Sequence, residues 1–100
     1  MNIPIGFTFP FYGNSYTTLN ISCNGFVSFT STGSGCCSGQ FIPNTADVNN
    51  VIALAWEDLN VGSGGSISYF NLTAPNRFVV SFNAVPFYPS GPTTVTGQII

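Results

Sequence analysis

Hydrophobic side chains recur along this chain with a period of two rather than 3.6. Ile3, Ile5, Phe7 and Phe9 alternate with Pro4, Gly6 and Thr8. Thr17, Leu19 and Ile21 alternate with Thr18, Asn20 and Ser22. Phe78, Val80, Phe82 and Ala84 alternate with Val79, Ser81, Asn83 and Val85. Alternation of this kind turns one face of a strand to a core and the other outward. Turn signals separate the runs. Tyr12-Gly13-Asn14-Ser15 closes the first strand, and Asn24-Gly25 is a hairpin signal, because both residues tolerate positive φ. Residues 26–30 then read as the returning strand and residues 31–50 as a long loop, of a length that is usually functional or braced.

Residues 51–56 are a nearly unbroken apolar run, which predicts a central strand buried on both faces. A Gly-rich turn over 60–66 leads to a strand over 67–72. Ala74-Pro75-Asn76 turns the chain, 86–92 is a Pro-rich loop, and 93–100 is the last strand. No segment carries an apolar i, i+3, i+4, i+7 stripe with helix formers. About seven short strands between turns predict an all-β fold, an antiparallel β-sandwich or jelly roll. The alternation assigns Phe7, Phe9, Leu19, Ile21, Phe26, Leu54, Trp56, Phe78, Val80 and Phe82 to the core.

Charge changes the picture most. Asp47, Glu57, Asp58 and Arg77 are the only charged side chains in 100 residues, and there is no Lys or His. An ordinary domain is about one quarter charged. Ser, Thr, Asn and Gly take the place of charge, which points outside the cell. A net charge of −2 with one Arg leaves no basic surface for nucleic acid. No apolar run reaches the roughly 18 residues of a membrane span. Aromatics at 15% supply large side chains for one core. The expected organisation is a single module over residues 1–100. The strand-like sequence at both ends makes it look cut from a longer chain.

Several runs in fixed order carry a family resemblance. They are Ile5-Gly-Phe-Thr-Phe-Pro-Phe-Tyr-Gly-Asn14, Ile21-Ser-Cys-Asn-Gly-Phe-Val-Ser-Phe29 and Ile52-Ala-Leu-Ala-Trp-Glu-Asp-Leu59, with Gly35-Cys-Cys-Ser-Gly-Gln40 and Ala74-Pro-Asn-Arg-Phe-Val-Val80 beside them. The chain resembles β-sandwich modules of large secreted bacterial surface proteins. More distantly, it is similar to the nidogen-like extracellular domain. The resemblance implies a non-catalytic extracellular module that continues past residue 100 with a further C-terminal β-strand, and it brings no ligand with it.

Candidate chemistry is sparse. Cys23, Cys36 and Cys37 are an odd set. Adjacent cysteines have Cα atoms about 3.8 Å apart, which strains a vicinal bridge. The expected disulfide therefore joins Cys23 to Cys36 or Cys37, closing a loop of about 14 residues worth roughly 3 kcal/mol. Mass spectrometry of a non-reduced digest should yield a cross-linked peptide containing Cys23. A Cys36–Cys37 bridge or three alkylated thiols would overturn that expectation. With no His, three cysteines lack a fourth zinc ligand.

Glu57 and Asp58 are neighbours and face opposite ways on a strand, so a catalytic pair would need Asp47 across space. With no His or Lys to act as base, nucleophilic catalysis is not expected, and no catalytic residue is assigned. Asp58 and Asn60, before the Gly-rich turn, offer oxygens to calcium, although the full calcium-loop signature is missing. No other cofactor is expected. Asn20-Ile-Ser22 and Asn71-Leu-Thr73 are glycosylation sequons. Tyr12, Tyr16 and Tyr88 lie in or beside turns and are candidates for stacking on sugars. The resulting reading is a structural or adhesive extracellular module whose partners are neighbouring modules or identical subunits. The alternatives are a self-assembling filament subunit joined by strand exchange, and a carbohydrate-binding module that contacts glycans.

Overall fold

A computed structural model describes residues 2–30, 50–89 and 92–100. These residues form seven strands: β1 Asn2–Phe11, β2 Asn14–Ser22, β3 Phe26–Ser28, β4 Val51–Ala53, β5 Ser66–Leu72, β6 Arg77–Pro86 and β7 Thr94–Ile99. The one helical element among them is a 3-10 turn at Val61–Ser63. The strands make two antiparallel sheets, ordered β1-β2-β3-β4 and β5-β6-β7. This is the all-β sandwich that the alternation predicts.

The core lies between the sheets. Ile3, Ile5, Leu19, Val27 and Phe29 come to it from the first sheet. Phe78, Val80, Phe82 and Val85 come from the second, and Leu59 joins them from the linking segment. Of the expected core residues, Leu19, Phe26, Phe78, Val80 and Phe82 are buried. Phe7, Phe9, Ile21, Leu54 and Trp56 are half-buried, so none faces open solvent.

Four expectations need correction, and each has a local cause. Residues 51–56 do not form a central strand. Only Val51–Ala53 is a strand, and β4 ends its sheet among the described residues. The carbonyl of Gly25 accepts from both Leu54 N (2.9 Å) and Ala55 N (3.0 Å), which draws the chain away from the ladder. Gly25 holds φ +91, and a Cβ there would stand 2.8 Å from the Ala55 carbonyl oxygen, so the turn needs glycine. Trp56 then lays its ring on Phe26, centroids 4.8 Å apart, in a small apolar cluster separate from the main core.

The alternation in β6 breaks after Phe82. Pairing with β7 slips between Phe82 and Val85, and Ala84 takes φ +51. This is a β-bulge, and its extra residue flips the side chains beyond it. Ala84 is therefore exposed and Val85 is 0% exposed, the reverse of the simple alternation. The N–H of Ala84, off the ladder, donates to Thr96 Oγ1 at 2.9 Å.

A second slip lies between β1 and β2. Pro4 stands opposite Thr18 and Phe9 opposite Tyr16, so residues 5–8 face Thr17 alone. In consequence Tyr16, and not Thr17, packs against the core, its ring stacked on Phe29 at 5.2 Å. The returning strand is also shorter than 26–30. It ends at Ser28, after which Phe29 N donates to Asn50 O. The long loop falls almost wholly outside the described residues.

Candidate functional site

The turn after β2 is built on Asn24. Its backbone N–H donates to Ser22 Oγ at 3.1 Å, and its buried Oδ1 accepts from Leu59 N at 3.1 Å. The Asn-Gly pair thus ties the turn to the segment that crosses between the sheets. Cys23, beside it, is exposed, its thiol 4.0 Å from Asn24 Oδ1. Cys36 and Cys37, the expected partners, lie outside the described residues, as does Asp47.

Asp58 and Asn60 flank Leu59, which bridges to Phe87. The Asp58 carbonyl accepts from Tyr88 N at 2.8 Å, and Asn60 N donates to Pro86 O at 2.8 Å. The Asn60 side chain caps the 3-10 turn: Oδ1 accepts from Gly62 N at 3.1 Å. Its Nδ2 donates to Ser63 Oγ (2.8 Å) and to Pro89 O (2.9 Å). Asn60 therefore clips the turn to the loop after β6, while the Asp58 side chain is exposed. Among the described residues no three His, Cys, Asp or Glu side chains gather as a metal-holding group.

The two sequon asparagines sit in the fabric of the sheets. The Asn71 amide donates from β5 to the carbonyl of Ile5 on β1, a hydrogen bond between the sheets. Asn20 is half-buried in β2, and its Oδ1 is buried without a hydrogen-bond partner. The three tyrosines do not share one environment. Tyr12 is 86% exposed at the β1–β2 turn, edge-on to Phe11, and Tyr88 is exposed in the loop after β6. Tyr16 is half-buried against Phe29.

Two features are absent from the sequence-based expectations. The first is the surface of β5. Ile67 packs on the core and Tyr69 stacks on Phe78 at 5.7 Å, so Ile67, Tyr69 and Asn71 point inward. Alternation sends Ser68, Phe70 and Leu72 outward. Tyr69 is 49% exposed, Phe70 42%, and Leu72 is exposed as well. Residues 59–76 carry no charge. Among the described residues only β6 pairs with β5, leaving its other edge open. The neutral Tyr-Phe-Asn-Leu run is the one signal in the sequence that could have drawn attention to it.

The second is a cleft of about 270 Å³ between the sheets. Phe7, Phe9 and Phe29 form one wall and Phe78, Val80 and Ile99 the other, and among the described residues Asn76 and Arg77 are the polar ones on its lining. It depends on how two sheets face one another, which no single run of sequence displays.

Among the described residues no helix is long and apolar enough to cross a membrane. No curated protein and no solved structure matches the chain. A family model described as NIDO related matches residues 1–100, every position of the sequence, and agrees with the resemblance to the nidogen-like domain carried by its aromatic and Asn-Gly runs. The chain belongs to the NIDO-related family.

Proposed function

We propose that this chain is a non-catalytic extracellular module of a large secreted bacterial surface protein, and that it works by contact, through the open edge of β5, with a neighbouring module or an identical subunit. Membership of the NIDO-related family supports the extracellular, non-catalytic part of this reading. The near-absence of charge supports it too, because sites for acid–base or nucleophilic chemistry have few groups to draw on.

The observation that carries the contact role is β5 itself. An edge strand presents unpaired N–H and C=O groups, and proteins that stay apart usually guard such edges with charge, especially Lys. β5 is seven residues long, exposes Tyr69, Phe70 and Leu72, and has no charged residue. That combination suits addition of a strand from another chain.

Light scattering over a concentration series tests the reading. The native chain is expected to grow in mass with concentration. Phe70→Lys, which places a charge on the outward face without touching the core, should hold it monomeric. A native chain that stays a monodisperse monomer at every concentration would remove self-pairing, and so would a Phe70→Lys variant that associates as the native chain does.

A further inference from the structure

We propose that Asn24 is a spontaneous deamidation site held shut by the fold, so that opening of the turn after β2 is recorded as a permanent change in the backbone. Asn24 is the only asparagine in the chain followed by glycine. That pair favours the reaction, because glycine has no Cβ to hinder its own nitrogen. The Gly25 nitrogen loses its proton and attacks Asn24 Cγ. The new N–Cγ bond closes a succinimide ring, the Cγ–Nδ2 bond breaks, and Nδ2 leaves as ammonia. Water then opens the ring. Attack at the side-chain carbonyl gives aspartate. Attack at the main-chain carbonyl gives isoaspartate, in which the backbone runs through Cβ and Cγ and is longer by one methylene.

In the folded chain the groups that must move are held. The N–H of Gly25 donates to Ser22 O at 3.3 Å, so it is directed at β2 and not at Asn24 Cγ. The Asn24 carboxamide is fixed by Leu59 N, which donates to Oδ1 at 3.1 Å. The Asn24 N–H is fixed by Ser22 Oγ at 3.1 Å. On the far side of the pair, the Gly25 carbonyl accepts from Leu54 N and Ala55 N. The close approach of the Ala55 backbone leaves Gly25 little room to swing. Asn24 and Gly25 are both buried, which keeps water from the ring.

Ring closure needs these bonds to break together, so its rate follows the population of the open turn. Neither product restores the native turn. Isoaspartate lengthens the backbone at a position already packed against Ala55. Aspartate keeps an acceptor for Leu59 N but places a charge where the side chain is buried. Opening is then irreversible, as it is whenever an unfolded chain is chemically altered before it refolds. The site lies between β2 and β3, in the sheet opposite β5, and does not depend on the contact role of β5.

The experiment incubates the native chain at mildly alkaline pH and low concentration, in buffer and in concentrated urea. Peptide mapping by mass spectrometry locates the deamidated residue, and enzymatic methylation of isoaspartate measures that product. In urea Asn24 should react ahead of every other asparagine and yield isoaspartate. In buffer it should react at least about 100-fold more slowly, since the open form of a stable domain is rare. Ser22→Ala removes the Oγ that holds Asn24 N–H. It should raise the rate in buffer roughly two- to tenfold, the worth of one hydrogen bond, and leave the rate in urea unchanged. Chain carrying isoaspartate, returned to buffer, should melt below the native chain or stay unfolded. The proposal is overturned if Asn24 reacts as fast in buffer as in urea, or if another asparagine leads in urea. It is also overturned if Ser22→Ala reacts in buffer at the native rate, or if the isoaspartate chain regains the native melting temperature.

Discussion

Phe82→Ala is expected to lower the unfolding free energy by about 3–5 kcal/mol, the usual cost of truncating a buried Phe. Phe82 is 1% exposed in the middle strand of the second sheet. It stands opposite Ile67 on β5 and Gly97 on β7. Gly97 brings no side chain to fill the space, and its own position is already within 2.9 Å of Leu54 Cδ1 for an added Cβ. Little can collapse into the hole. Domains of this size hold only about 5–15 kcal/mol in all, so the loss is a large fraction of total stability. Urea unfolding measures it. The midpoint should fall sharply with an unchanged m value, and a loss below about 1 kcal/mol would mean that Phe82 does not join the two sheets as described.

Gly65→Ala is expected to cost about 2–5 kcal/mol, from backbone strain and overpacking together. Gly65 precedes β5 and holds φ +70. A Cβ there would stand 2.4 Å from the Ala84 carbonyl oxygen and 2.6 Å from that of Asn83. Both are backbone atoms at the β6 bulge, so no rotamer change relieves the clash. The strand that enters β5 and the bulge that flips β6 therefore fit only around a glycine. Thermal unfolding of the variant checks this. A melting temperature equal to that of the native chain would show that the bulge yields to the new methyl group.

The strand count and most inward-facing positions were legible because period-two alternation is a property of each strand alone. What failed depends on partners. Ala84 and Val85 are both apolar, so hydrophobicity cannot say which one faces the core. The bulge decides it, through Ala84 N and Thr96 Oγ1. The run 51–56 looked like a buried strand because Leu54, Ala55 and Trp56 are apolar. They are apolar for two different reasons: Leu54 and Ala55 pack on the main core, while Trp56 covers Phe26. Asn24-Gly25 was readable as a turn, but the grip of Asn24 on Leu59 N spans 35 residues and leaves no local trace. The open edge of β5 follows from strand order, and the cleft from the facing of two sheets. Both are tertiary facts.

The central claim is that β5, among the edge strands of the two sheets, is the contact edge, and hydrogen–deuterium exchange over a concentration series tests it most directly. In an antiparallel pair alternate N–H groups point away from the partner strand, so about half the β5 amides have none in β6. The account predicts that exchange over residues 66–72 slows as concentration rises, while β2 and β3, inside their sheet, do not change. Exchange in β5 that is fast and the same at every concentration would contradict it.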